Sequence, residues 1–316
     1  MSKQVARNVH LKRIFFRLGR SEGLKPASLD DLIKKIFAKA LTVEQRHFPQ
    51  PAMIKPHDSC CFLNRIVSGT RPGVIFEVCG YQSGNDPEQI LPDLSATELN
   101  VESSPILDRA TGERKQSVVS FRCLVLGEAM LIENVQGRGG NIVFERMLHR
   151  CLKAHVDTRY PRPHFSDVAT EKLPAMIKRG GGVDELVMDL AHAQPHKNYP
   201  FAHRMNSQRN IIKGTDFLRV THKSKKGVLD EEDVISAFSE QNNDEGPDKV
   251  VIRLKDGTTI DDLSKLKHRR LITVSGTDGG APNVSELVQG MYDYMDDLQK
   301  VVSDSRVLNV NGYFTE

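Results

Sequence analysis

The segment QGRGGNIVFERMLHRC, Gln136 to Cys151, sets three glycines and an arginine between an apolar strand-like run and an apolar-periodic one. In such a segment, backbone amides and a helix N-terminus can hold a phosphate. Gly137, Gly139 and Gly140 do not complete G-x-G-x-x-G, whose third glycine would fall at Ile142. No Gly-Lys-Ser/Thr follows to supply the lysine and magnesium-binding hydroxyl of a triphosphate site. Two readings stay open: a plain turn and helix cap, or a single anion contact with Arg138 beside it.

Other residues that could do chemistry give less. His192, His196, His203 and His222 gather in one region, but Pro195 interrupts the continuous helix that would align His192 and His196 on a metal. No serine sits in a G-x-S-x-G elbow, and Cys60, Cys61, Cys79, Cys123 and Cys151 carry neither a nucleophile signature nor zinc-site spacing. They are expected to be reduced core thiols. Asp293, Asp296 and Asp297 share a helical face that could hold a divalent ion, although like charges on a final helix are more commonly a solvated face. No catalytic motif, cofactor or metal site is predicted.

Charge is the stronger signal. The overall +3 is small, but residues 1–20 hold six cations and no acid, 6 − 0 = +6. Residues 191–226 hold eight cations against Asp216 alone, 8 − 1 = +7. Surfaces of this kind attract phosphate backbones without reading sequence. The candidate contacts are Lys12, Arg13 and Arg17 on the first strand, Arg138 at the glycine turn, and Arg146 and Arg150 on the basic face of the helix behind it. Arg204, Arg209, Arg219, Lys223, Lys225 and Lys226 complete the set. Tyr199 and Phe201 interleave with the basic segment, but two aromatics are too few to imply single-strand stacking.

The elements that must position these groups follow from periodicity. NVHLKRIFFRLG is expected as a half-exposed strand, followed by a helix capped by Ser28 with Asp30 and Asp31 in its first turn. FLNRIVSG and PGVIFEVCGY suggest two strands, residues 83–114 a long loop, and KQSVVSFRCLVLGEAMLIENV a hairpin turning at Leu126 to Ala129. Asn141 is the expected cap of the next helix. RYPRPHFSD marks a domain boundary, dividing the chain into an N-terminal α+β domain, 1–160, and a C-terminal one, 161–316.

In the second half, VDELVMDLAHA is expected as a short helix, NIIKGTDFLRVTHK as one or two strands, and LDEEDVISAFSE as a helix. KVVIRLKDG and RRLITVSG are expected as strands. A long last helix carries an apolar stripe of Val284, Leu287, Val288, Met291, Met295, Leu298 and Val302, packed inside the subunit or against a partner. The fold class is thus α+β, two mixed domains with largely antiparallel sheets and a long C-terminal helix. No run approaches ~20 apolar residues, and the N-terminus lacks the apolar core of a secretory signal, so a cytoplasmic protein without membrane insertion is expected.

The order of elements in NIIKGTDFLRV, DEEDVISAFSE, KVVIRLKDG and VSELVQGMYDYMDDLQKVV, together with the strand-turn-helix MLIENVQGRGGNIVFERML, resembles RexA-like phage-exclusion proteins and related prokaryotic anti-phage defence proteins. The resemblance is architectural and carries no residue assignments. It implies a sequence-tolerant binder of double-stranded DNA acting in defence as a homodimer, with a second defence protein as partner. The alternative is a nuclease or nucleotide-processing effector whose site assembles from dispersed residues.

Overall fold

The computed structural model describes residues 4–16, 27–67, 71–86, 88–89, 102–103, 105–134, 140–170, 172–191, 200–225, 227–240, 247–261, 266–277, 280–301 and 306–315. Strands Gln4–Phe16 (β1), His47–Phe48 (β2), Ser59–Val67 (β3), Val74–Gln82 (β4), Val118–Leu126 (β5), Ala129–Asn134 (β6) and Pro163–Asp167 (β7) belong to one antiparallel sheet. Its order is β7-β1-β6-β5-β4-β3-β2. Val183–Leu190 (β8), Leu218–Lys223 (β9), Lys249–Leu254 (β10) and Thr259–Ile260 (β11) form a second, antiparallel sheet in the order β9-β8-β10-β11. Arg269–Ser275 (β12) returns to the first sheet and pairs with β1. The α+β class with antiparallel sheets is as predicted.

Helices Leu29–Lys39 (α1) and Gly140–His155 (α2) cover one face of the larger sheet. Leu32, Ile33, Ile36, Phe144, Met147 and Leu148 pack there with Leu63, Phe76, Val125 and Met130. The other face is covered by the last helix, Val284–Gln299 (α6), whose Leu287, Met291, Met295 and Leu298 pack with Val9, Leu11, Ile75, Leu124 and Leu131. Burial on both faces explains why β4 is a nearly unbroken apolar run, since neither side of the strand meets water. It also settles the apolar stripe of α6 on this chain's own sheet, which removes the reason to expect that helix at a dimer interface. Val302 lies outside the described residues.

The smaller sheet is covered on one face by Lys172–Arg179 (α3), Pro200–Arg209 (α4) and Glu231–Glu240 (α5). Leu173, Ile177, Met205, Val234 and Phe238 meet Leu186, Met188, Leu190, Val250 and Ile252 there.

Four expectations are corrected. VDELVMDLAHA contributes β8, because Leu186, Met188 and Leu190 recur at the period of a strand and fill one face of a sheet. The neighbouring helix is instead α4. Ser28 stands at the N-cap of α1, but its hydroxyl makes no bond to the first-turn amides, and α2 begins at Gly140, which puts Asn141 inside the helix. RYPRPHFSD is not a linker: its last five residues are β7, and both β7 and β12 pair with β1, so the larger sheet runs across residue 160.

Candidate nucleic-acid interface

The structure separates the predicted basic residues. Lys12 leaves the set: it is 6% exposed, and its Nζ stands 2.6 Å from Asp167 Oδ1. Lys267 holds the other oxygen, Oδ2, at 2.6 Å. This triad sits where β1 exchanges β12 for β7 as its neighbour and Leu11 donates its amide to the His268 carbonyl. Burial lowers the Lys267 pKa, opposed by Asp167. Two buried ammonium groups sharing one carboxylate act as a joint between chain segments.

Arg13 pairs with Glu128 at 3.2 Å and lies over the Phe314 ring, whereas Arg209 is half-buried and donates to the Ala191 carbonyl and Asn206 Oδ1, both at 2.8 Å. Arg146 is exposed and Arg150 half-buried on α2, while Arg204 and Lys225 are exposed. Arg17, Arg138 and Lys226 lie outside the described residues, as do His192, His196, Tyr199, Gly137 and Gly139.

Arg219 and Lys223 come together on the second face of the smaller sheet, on which no helix packs among the described residues. Strand alternation turns Leu218, Val220 and His222 toward one side, and Arg219, Thr221 and Lys223 toward the other. The same register brings Lys249, Val251 and Arg253 of β10 onto that outer face, with Glu185, Val187 and Asp189 of β8 between the two edges. Two charged rows result: Lys223, Glu185, Arg253 and, four residues along, Arg219, Asp189, Lys249. The rows are about 13 Å apart and each spans about 10 Å, from strand rise and strand spacing. Lys249 and Arg253 were not singled out from sequence, although their i, i+4 spacing in KVVIRL is the signal that could have found them.

Each row is cation, carboxylate, cation. Arg219 grips Asp189 bidentately, Nε–Oδ1 2.7 Å and Nη2–Oδ2 2.8 Å, and the bond holds its pKa above the ordinary value. Arg253 donates to Glu185 at 2.8 Å. Lys223 lies 3.2 Å from Asp184 and 3.5 Å from Glu185, and its pKa is raised, first by the bond to Asp184. Lys249 has no carboxylate within ion-pair distance among the described residues. With Asp184 beside Lys223, four cations over three carboxylates leave 4 − 3 = +1. The guanidinium of Arg219 commits two of its five N–H donors to Asp189, so further donors remain for an anion approaching from solvent. The face can therefore contact several phosphates at fixed spacing.

Other chemistry-bearing groups are engaged structurally. Arg65, Glu77, Arg122, Glu133 and Arg7 form an alternating ladder across five strands of the larger sheet at 3.0–3.2 Å, with Glu77, Arg122 and Glu133 buried. Asp293 and Asp296 both hold Arg71, while Asp297 holds Arg270 and Lys300, so the acidic face of α6 is tied to basic side chains. All five cysteines are free and buried, as expected; burial pushes the Cys79 thiol up to about 11 and Cys151 to about 12. Thiols so held are poor nucleophiles. A cleft of about 780 Å³ opens beside Phe15, Phe16, Ser28, Asp167, Ser239 and Phe314. Asp167 is held by two lysines, and Glu240 beside it accepts the Phe201 and Ala202 amides. Among the described residues no group of His, Cys, Asp and Glu is placed to hold a metal, and no helix is long and apolar enough to cross a membrane.

No protein-family model matches the chain, and no curated protein matches its sequence.

Proposed function

We propose that this chain is a sequence-tolerant duplex-DNA-binding component of a bacterial or phage anti-phage defence system. The observation that carries the binding is the outer face of the smaller sheet, where Arg219, Lys223, Lys249 and Arg253 stand at the corners of a rectangle on a surface that no helix covers among the described residues. Exposed lysine and arginine on a rigid sheet favour phosphate contacts, which give affinity and leave base identity unread. The defence setting rests on the architectural resemblance to RexA-like exclusion proteins. A gel shift with random-sequence duplex, with and without magnesium, tests the reading. Retardation in both conditions with intact DNA is expected, and no retardation at low salt would remove the proposal.

A further inference from the structure

The turn between α4 and β9 exposes apolar side chains in a way the remainder of the fold does not require. Ile211 is 78% and Ile212 70% exposed, with Phe217 at 50%. Single exposed apolar residues are ordinary on a protein surface, but these lie within seven residues of one another on a turn with defined geometry. The Ile212 carbonyl accepts from both the Thr215 amide and its hydroxyl, and Gly214 adopts φ +84° to close the turn. Phe217 is continuous with the cationic face. Strand alternation puts it on the same side as Arg219, whose guanidinium lies 5.7 Å over its ring. Lys213 is exposed at the tip.

From this placement we infer that the Ile211–Phe217 turn is an apolar wedge that enters the minor groove of a duplex and kinks it. The inference rests on the DNA-binding reading of the adjoining sheet face and names the form of its substrate: DNA bent at a deformable step. Apolar side chains unstack neighbouring base pairs when flanking cations hold the backbone against them. Here the flanking cations are Lys213 on the turn and Arg219 at its base. An anionic membrane is a poorer fit, because interfacial attachment scales with apolar area and three side chains on a tight turn offer little.

The test uses the full chain and a duplex of about 30 base pairs with dyes at its ends and 2-aminopurine at a central TA step, the kind of step that kinks readily. The parent protein is expected to raise both 2-aminopurine fluorescence and end-to-end energy transfer. The double variant Ile211→Ser, Ile212→Ser, changed at exposed positions, should bind within about threefold of the parent and lose both signals. Binding by the parent with neither signal, or a variant that keeps both, overturns the wedge and leaves the DNA-binding reading standing. Absence of duplex binding, with isoleucine-dependent attachment to phosphatidylserine vesicles instead, overturns both.

Discussion

Replacing Lys249 and Arg253 together by alanine removes half of the cationic corners of the outer face while leaving its carboxylates partnered. Asp189 keeps its two bonds to Arg219, and Glu185 keeps Lys223 at 3.5 Å. Arg253 is itself 55% exposed, so the lost pair should change stability by about 0–1 kcal/mol. Arg219 is the wrong residue for this purpose, because its removal strands Asp189, and its reversal to glutamate sets two carboxylates against each other. If each cation neutralises one phosphate, the parent slope of log K against log salt is about −0.9 × 4, or about −3.6, and the variant's about −1.8. Raising salt from about 50 to about 200 mM should then weaken the parent by about 150-fold and the variant by about 12-fold. Fluorescence anisotropy of a labelled random duplex over a salt series measures both slopes, and circular dichroism checks the fold. A folded variant whose slope stays at the parent value would refute the assignment of this face.

Three further outcomes follow from the packing. Asp167→Asn leaves Lys12 and Lys267 buried without a counter-charge, which should remove about 3–5 kcal/mol and lower Tm by about 5–8 °C. Burial pushes the Asp167 pKa up, but the two ammonium groups outweigh it and hold it below 3.8, so its stabilisation is present above that pH and fades as pH falls through the folded value. The acid limb of the parent's stability profile should be shallower in the variant; an unchanged profile and Tm would contradict this. Gly290→Ala gains up to about 1 kcal/mol in helix propensity, yet its Cβ would stand 2.5 Å from Ile272 Cγ2. Overpacking costs about 1–3 kcal/mol, so a net loss of about 1 kcal/mol is expected in urea unfolding, and a gain would show that α6 has room to move. Met295→Ala should cost about 2–5 kcal/mol with unchanged sedimentation, because that side chain faces its own sheet; altered association at parental stability would restore α6 as an interface.

Where one face of an element decides its identity, the sequence was a good guide. KVVIRL and RRLITVS alternate and are strands, and the Leu126 to Ala129 turn lies where its glycine suggested. VDELVMDL is a strand and not the expected helix because the face that buries Leu186, Met188 and Leu190 exists only once β9 and β10 pair with it. Lys12 drops out of the basic set for a related reason. Lys12 is neutralised by Asp167, 155 residues away, and no count along the chain could anticipate that contact.

The +7 segment shows how much such a count depends on its limits. Asp184, Glu185 and Asp189, which hold Lys223, Arg253 and Arg219, lie just before residue 191. Starting the count at 184 turns 8 − 1 = +7 into 8 − 4 = +4. A run of cations therefore becomes a field at the surface only after the strand register has assigned its partners. In this fold the register pairs the buried charges, cuts the sheet face from +4 to +1, and leaves Lys249 as the corner that no carboxylate shares among the described residues. Its ammonium has no ion-pair partner to lose among the described residues, so its effect on polyanion binding is the most direct measure of what the face does.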